Sequence, residues 1–338
     1  MLTPDEIKSA NELTSNILKE LDNIILGHSD VHRMVLVSLL SKGHVLLEGV
    51  PGVGKTLLVK TLSKLIGLDH NRVQFTPDLM PGDILGNHIL QETGTGKREM
   101  VFQKGPVFTN VLLADEINRA TPKTQSAMLE AMQEHSVTLL GSTRKLPAPF
   151  FVLATQNPIE LEGTYPLPEA QIDRFLFKLI LNTVKPEVLD NIISTRRRGE
   201  PPSPVWSMDT EKLNRLFDIM DSIILPKPVS KYISRLVGAT HPNYSEAAEK
   251  VKAYVSFGAS PRAAIGIAET ARAHALIRGR PAVGFEDVKT VAPHALNHRI
   301  ILNYKARIDR VGSQAVLDEL LSDLDETGME LPENMEIK

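Results

Sequence analysis

The chain has 338 residues and a formal net charge of −3, and 42% of its residues are hydrophobic while 23% are charged. This length and composition suit a globular protein of two domains, or of one large domain with a small appendage. The small net charge argues against a whole-molecule field that attracts nucleic acid. Because the chain has no cysteine, disulfides and cysteine–metal sites are excluded.

The N-terminal sequence MLTPDEIKSANEL is polar and acidic, unlike the basic and then apolar pattern of a signal peptide. No uninterrupted apolar stretch is long enough to span a bilayer. The lack of cysteine also fits a reducing compartment. We therefore expect a cytoplasmic protein without a membrane span.

Two helices are predicted before the first strand, over about Asp5–Ile25 and Asp30–Ser41, because apolar residues recur there at helical spacing. Between them, an apolar segment ends in glycine just upstream of a glycine-rich loop. Ile25 and Gly27 could pack against a nucleotide base. A helix end with glycine as its C-cap explains the same residues equally well.

The segment HVLLEGVPGVGKTLL, residues 44–58, holds a short apolar strand followed by a phosphate-loop pattern that ends in Lys55 and Thr56. Glycines allow backbone N–H groups to approach phosphate oxygens, Lys55 supplies a cation for the β- and γ-phosphates, and the Thr56 hydroxyl can bind Mg²⁺. A chance glycine-rich turn is the alternative, but the strand before the loop and the amphipathic helix after it favour nucleotide binding. The predicted nucleotide-binding residues of this loop are Gly49, Val50, Pro51, Gly52, Val53, Gly54, Lys55, Thr56 and Leu57.

Two β-hairpins are predicted to interrupt the core strands. Ile89–Gln91 and Met100–Phe102 flank a glycine-rich turn, and Val137–Leu140 and Arg144–Leu146 flank a second turn. The first hairpin would protrude, since the next core strand begins only near Asn110.

The apolar strand Val111–Ala114 ends in Asp115 and Glu116, the expected companions of a phosphate loop. Asp115 would hold Mg²⁺ through its water shell, and Glu116 would polarise the attacking water. An acidic pair at the start of a helix is the structural alternative. The phosphate loop upstream favours the catalytic interpretation.

Two further polar residues follow the apolar strand Phe150–Ala154. Asn157 could orient the lytic water, although asparagine before proline is also a common turn. Arg174 could supply positive charge to a transferred phosphoryl group. A surface ion pair with Asp173 or Glu169 is the alternative for Arg174.

A composition change near residue 200 suggests a domain boundary, with an α/β domain over residues 1–199 and a helical domain over residues 200–338. A helix opening at Pro186 is predicted to close with the arginine triplet 196–198, which helix electrostatics explains better than nucleic-acid binding. Residues 200–204, EPPSP, form the predicted linker.

The remainder is predicted to be all-helical. The predicted helices are Thr210–Ile224, Ser230–His241, Ser245–Tyr254, Ser260–Arg278, Phe285–Asn297 and Gln314–Leu324. Ser260 should cap its helix, and Arg262 would lie in the first turn, where a cation opposes the helix dipole. Either a bound anion or a nearby carboxylate would account for Arg262.

Together, the segments HVLLEGVPGVGKT, QFTPDLMPGDILG, VLLADEINRATPKTQSAMLEAMQE, FFVLATQNP, EAQIDRF and GASPRA resemble a MoxR-type ATPase of the AAA+ superfamily. The resemblance runs from about Ile24 to beyond Arg262. It implies an α/β fold, a phosphate-loop core with a five-stranded parallel sheet flanked by helices, followed by an all-helical lid. It also implies ATP and Mg²⁺ as cofactors.

The resemblance assigns roles to three residues. Asn157 matches the first sensor, Arg262 the second sensor on the lid, and Arg174 the arginine finger that reaches the γ-phosphate of a neighbouring subunit. Arg119 also lies near the expected subunit edge, and spacing cannot choose between Arg119 and Arg174. The two hairpins match insertions of this branch, which face the pore or the partner.

The family works as homo-oligomers, usually hexameric rings, that remodel, assemble or activate other proteins, often ones with a von Willebrand A domain. Three other functions compete with this one: a nucleic-acid-associated motor, a magnesium-chelatase-like motor subunit and a nucleotide-gated scaffold without turnover. We do not expect nucleic acid as a partner, because the arginine triplet and Arg144-Lys145 are its only support.

Overall fold

The structure is a computed structural model that describes residues 2–50, 52, 54–92, 98–157, 163–196 and 201–326. The chain divides into two compact units, Thr3–Asp221 and a second unit that begins at Ser222. The predicted boundary after residue 199 lies earlier than this division. The segment between the two boundaries, which ends at Asp221, belongs to the first unit. Within that unit, Lys42 Nζ donates a hydrogen bond of 2.9 Å to Asp221 Oδ2.

The first unit alternates helices with strands. Its helices are α1 Pro4–Ile24, α2 Ser29–Leu40, α3 Lys55–Leu65, α4 Pro81–Leu85, α5 Pro122–Glu134, α6 Glu169–Ile172, α7 Pro186–Thr195 and α8 Thr210–Asp221. Its strands are β1 Val45–Gly49, β2 His70–Gln74, β3 Gly86–Glu92, β4 Arg98–Lys104, β5 Val111–Asp115, β6 Ser136–Leu139, β7 Ser142–Lys145, β8 Phe151–Gln156 and β9 Phe177–Leu181. The helices and strands predicted from the sequence are present here, with ends displaced by up to three residues.

Five strands form one parallel sheet in the order β2-β5-β8-β1-β9, which confirms the predicted five-stranded parallel sheet. Residues of β1, β5 and β8 are almost entirely buried, as expected for central parallel strands covered on both faces. β1 lies between β8 and β9, and β8 lies between β1 and β5. The carboxyl ends of β1, β8 and β5 therefore meet at one edge of the sheet.

Both predicted hairpins are present, as β3–β4 and β6–β7. The turn of the first, residues 93–97, lies outside the described residues. The two hairpins touch: the Arg144 guanidinium carbon of β7 lies 4.0 Å from the centre of the Phe102 ring of β4. Phe102 pairs across the hairpin with His88, whose Nε2 is 3.5 Å from Arg144 Nη2. A cation–π contact thus joins two insertions that are separate in the chain.

The second unit is mainly helical. Its helices are α9 Lys227–Gly238, α10 Glu249–Tyr254, α11 Pro261–Ile277, α12 Phe285–Leu296, α13 Tyr304–Ile308 and α14 Ser313–Asp323. The expectation of an all-helical lid needs one correction, because β10 Val255–Phe257 and β11 Ile301–Leu302 form a small antiparallel sheet. These strands are too short to show an alternating pattern in the sequence.

Arg196, the first residue of the arginine triplet, is the C-cap residue of α7 and lies outside its last turn. That helix ends at Thr195, and the last turn has no basic residue. Arg196 instead donates from Nη2 to the carbonyl of Asn23, 3.3 Å away, in the last turn of α1. A cation at the C-terminus of α1 opposes the negative end of that helix dipole. Arg197 and Arg198 lie outside the described residues.

Helix α11 begins as predicted, with Ser260 at the N-cap position and proline at the first helical position. The Ser260 side chain makes no capping hydrogen bond, which corrects the expected serine cap. Within the described ranges, no helix has both the length and the apolar character needed to cross a membrane.

Candidate active site

The phosphate loop joins the end of β1 to the start of α3. Gly52 and Gly54 have φ of +86° and +88°, a region that side chains with a Cβ rarely adopt. Gly49 is required for a different reason: a Cβ there would lie 2.8 Å from the carbonyl oxygen of Leu181 on β9. Pro51 and Val53, predicted to bind nucleotide, lie outside the described residues.

Lys55, the first residue of α3, is only 9% exposed. Its Nζ donates a hydrogen bond of 2.9 Å to the carbonyl of Gly49, so the ammonium group folds back over the loop. Burial lowers the pKa of Lys55, while attraction to Asp115 and Glu116 opposes that shift. Thr56 follows on α3 and is exposed, and Leu57 is partly buried.

Asp115 is the last residue of β5, Glu116 follows it, and one side chain of β8 bonds to both. Thr155 Oγ1 donates a hydrogen bond of 2.6 Å to Asp115 Oδ1 and accepts one of 2.9 Å from the amide of Glu116. Thr155 is completely buried. Glu116 has φ of +57°, in the left-handed region that is strained for most side chains. The bond to Thr155 helps to hold that backbone conformation.

Two side chains of strand β2 also bond to the acids. Arg72 donates to Asp115 Oδ2 from Nη2 at 2.7 Å and from Nε at 3.2 Å. Gln74 accepts from Arg72 Nη2 at 2.7 Å and donates from Nε2 to Glu116 Oε2, also at 2.7 Å. Arg119 Nη1 lies 3.1 Å from the same Glu116 oxygen. The carboxylate of Glu116 therefore accepts bonds from two donors.

The segment Ile24–Gly27 lies beside the loop. A Cβ on Gly54 would come within 3.6 Å of Ile25 Cγ2, so Ile25 packs next to the phosphate loop. Gly27 has φ of +93°, and a Cβ there would meet Val188 and Val184 at 3.0 and 3.1 Å. Helix α1 already ends at Ile24 with Ile25 as its C-cap residue, so Gly27 itself is not the C-cap.

The remaining predicted site residues occupy three different places. Asn157 directly follows β8, at the sheet edge where Gly49 and Asp115 lie, and is 5% exposed. Arg174 precedes β9 and is exposed. The first residue of β9, Phe177, pairs with Val45 at the start of β1. Arg174 therefore lies near the amino ends of the parallel strands, opposite the carboxyl ends where Gly49 and Asp115 lie. Arg262 is exposed in the first turn of α11, on the second unit.

The donor atoms suit magnesium. A hydroxyl of Thr56 and a carboxylate of Asp115 are the hard oxygen donors that Mg²⁺ prefers. The part of the chain that the structure describes holds no group of three or more histidine, aspartate or glutamate side chains able to bind a metal.

Sequence reasoning missed Arg72, Gln74 and Thr155. Arg72 and Gln74 are two residues apart on β2, and Gln74 pairs with Asp115 of β5. The two-residue spacing can be read from the sequence, but the position of β2 next to β5 in the sheet cannot. Thr155 lies on β8, two residues before Asn157, and nothing in the sequence indicates which groups its buried hydroxyl would bond to.

Comparisons with known proteins agree with this geometry. Residues 44–177 match the ATPase family associated with various cellular activities (AAA), and residues 247–320 match the AAA lid domain. The chain is 47% identical to Chaperone MoxR1 of Mycobacterium tuberculosis over 302 residues, which cover 89% of this chain and 79% of that protein. It is 40% identical over 319 residues to the uncharacterized protein YeaC of Bacillus subtilis, covering 92% and 93%.

A crystal structure of a candidate ATPase from Cytophaga hutchinsonii shares 38% identity with a TM-score of 0.86, and the match covers 95% of this chain and 97% of that one. Both the sequence and the structural similarity therefore extend over nearly the whole chain. The phosphate loop, Asp115, Glu116 and four of the five strands of the sheet lie inside residues 44–177, and the fifth strand, β9, begins at residue 177. The chain belongs to the MoxR family of AAA+ ATPases.

Proposed function

We propose that the protein hydrolyses ATP to ADP and phosphate with Mg²⁺, as a homo-oligomer that remodels a protein client. The observation that supports the catalytic part is that the phosphate loop follows β1 and that Asp115 and Glu116 lie at the end of β5, so both lie at the carboxyl ends of strands in one parallel sheet. β8 separates β1 from β5, so the loop and the acids are about 10 Å apart, two strand spacings. That gap accommodates phosphates and a hydrated metal.

Each residue has a chemical role in this proposal. The loop amides and Lys55 bind the triphosphate, and Thr56 and Asp115 hold Mg²⁺, which neutralises charge on the β- and γ-phosphates when bound. Glu116 accepts a proton from the attacking water, and Asn157 orients that water. Ile25 and Gly27 border the base, an assignment supported by the contact of Ile25 with the loop.

For the arginine finger, the geometry favours Arg174 over Arg119. Arg119 is bonded to Glu116 of its own chain. Arg174 lies before β9, near the amino ends of the strands, and the five residues of β9 place it about 16 Å from the loop at the carboxyl ends. A side chain at that distance serves the nucleotide of a neighbouring subunit rather than its own. Arg262 would sense the γ-phosphate from the lid.

The client part of the proposal rests on relatives. One similar protein is named a chaperone, Chaperone MoxR1. Family members often act on proteins with a von Willebrand A domain, and we propose a client of that kind, in the cytoplasm, with a hexameric ring as the working state.

The test is phosphate release by purified protein with ATP and Mg²⁺, measured across protein concentrations that permit self-association. Glu116→Gln should bind ATP but turn over about 10²-fold or more slowly, and Lys55→Ala should fail to bind ATP. Lys60→Ala, an exposed lysine of α3, is the matched control and should leave both unchanged. Absence of turnover at every concentration contradicts the proposal. The Glu116→Gln protein, locked with ATP, then serves to capture the client for identification by mass.

A further inference from the structure

Arg72 is held against the acid that the proposed function assigns to the metal. Its Nη2 and Nε both donate to Asp115 Oδ2, at 2.7 and 3.2 Å. The other oxygen, Oδ1, accepts the hydroxyl of Thr155 at 2.6 Å. Both oxygens of the carboxylate are therefore already engaged by the protein itself.

The two partners of Asp115 differ in how easily they can leave. Thr155 is completely buried and also bonded to the amide of Glu116, so its hydroxyl stays in place. The Arg72 side chain is 50% exposed, and its strand, β2, is at the edge of the sheet. Arg72 Nη2 has a second acceptor, Gln74 Oε1, at 2.7 Å. The guanidinium can thus release Asp115 and remain bound to Gln74 or to water.

A guanidinium and a hydrated Mg²⁺ ion compete for the same oxygen. Arginine stays charged at any working pH, so the competition needs no change of protonation. Two N–H groups fill the lone pairs of Oδ2, and a divalent cation close to Arg72 is repelled by its charge. The Arg72–Asp115 pair is also only partly screened, because the Asp115 side chain is 12% exposed.

We propose that Arg72 is the counter-ion of Asp115 in the metal-free protein and competes with Mg²⁺, so that it sets the magnesium concentration at which nucleotide is held tightly. Arg72 acts through Asp115 in this scheme and contacts neither the attacking water nor the phosphates. The proposal rests on the proposed function, since it needs Mg²⁺–nucleotide binding at this site.

The test measures equilibrium binding of a fluorescent, non-hydrolysable ATP analogue while free Mg²⁺ is varied at constant ionic strength. In Arg72→Gln, the half-saturating Mg²⁺ concentration should fall by about threefold or more, as expected for losing a half-exposed ion pair. Binding in EDTA should be unchanged or weaker, because a positive charge near the phosphates is lost. The readout is a binding midpoint and needs no turnover.

The matched control is Arg215→Gln, which removes the same charge from α8. Arg215 faces Glu6 at 3.8 Å and is 68% exposed. Its midpoint should equal that of the wild type, which separates a local effect from one of net charge. Arg72→Met offers a second neutral variant, and circular dichroism verifies that each variant is folded.

The outcomes separate the two proposals. Wild-type binding that depends on Mg²⁺, with an unchanged midpoint in both neutral variants, overturns the role of Arg72 alone. A raised midpoint also overturns it, because Arg72 would then orient Asp115 for the metal. A wild-type protein that does not bind the analogue at any Mg²⁺ concentration overturns the proposed function and this inference together.

Discussion

Thr155 and Asp115 lie on adjacent parallel strands, and the 2.6 Å hydrogen bond between Thr155 Oγ1 and Asp115 Oδ1 joins their carboxyl ends. The same hydroxyl accepts the amide of Glu116 at 2.9 Å. One buried threonine therefore orients the proposed metal ligand through its side chain and the proposed base through its backbone.

Thr155→Val tests this arrangement, because valine keeps the shape and removes the hydroxyl. A hydrogen bond to a charged group contributes about 1.5–3 kcal/mol, so ATP turnover should fall by about tenfold or more. Nucleotide binding in EDTA should remain. Both are measured on the purified variant, by phosphate release and by fluorescence titration.

Thr14→Val is the matched control for that variant. Thr14 is also completely buried, but its hydroxyl bonds only to carbonyls of its own helix α1. Turnover of Thr14→Val should equal that of the wild type. An equal loss in both variants would attribute the effect to general destabilisation and contradict the role of Thr155.

Mixing experiments distinguish Arg174 from Arg119. Arg174→Ala should lose turnover by about 10²-fold or more. Adding Glu116→Gln subunits should restore part of it, because these subunits bring an intact Arg174 to sites that keep Glu116. The measurement is phosphate release as a function of the mixing ratio.

Arg119→Ala should behave differently in the same mixtures. Arg119 bonds to Glu116 within one chain, so intact Arg119 and intact Glu116 never meet at one site when it is mixed with Glu116→Gln. No recovery is expected. Recovery with Arg119→Ala but not with Arg174→Ala would reverse the two assignments.

The individual strands, the two hairpins and the phosphate loop were predictable because each has a local signature, whereas the five-stranded parallel sheet was implied by the family resemblance. Val45–Leu47 is an apolar run, and Gly49–Thr56 follows a pattern set by phosphate geometry. The contacts of Arg72 depend instead on which strand lies beside β5, a non-local property. The β10–β11 pair was missed for a similar reason: two or three residues pair across a long stretch of helix.

His44 predicts a pH dependence of stability. Its Nε2–H donates to the carbonyl of Met132 and its Nδ1 accepts the amide of Val152, each at 3.1 Å. Burial lowers the pKa of His44 from 6.5 to about 4. A proton on Nδ1 would face the Val152 N–H, so the folded state binds that proton less well than the unfolded chain.

Since the unfolded chain binds more protons between pH 6.5 and about 4, stability rises with pH across that window and is lost as pH falls through it. From pH 7.5 to pH 5, the wild type should lose about 2 kcal/mol more free energy of unfolding than His44→Gln. Urea denaturation at the two pH values measures this difference. The control is His70→Gln, which replaces an exposed histidine at the start of β2. Its free energy of unfolding should fall between pH 7.5 and pH 5 by as much as that of the wild type. An equal loss in His44→Gln would refute the assignment.

The contact of Arg144 with Phe102 has a mechanical consequence. Because a planar cation lies 4.0 Å from the centre of an aromatic ring, moving the β6–β7 hairpin independently of the β3–β4 hairpin requires this contact to break. The β6–β7 arm leads directly toward β8, the strand that ends at Thr155 and Asn157. We therefore expect a displacement of either hairpin to reach β8, whose Thr155 bonds to Asp115 and to the amide of Glu116, so a client bound at the hairpins would be coupled to the proposed catalytic acids.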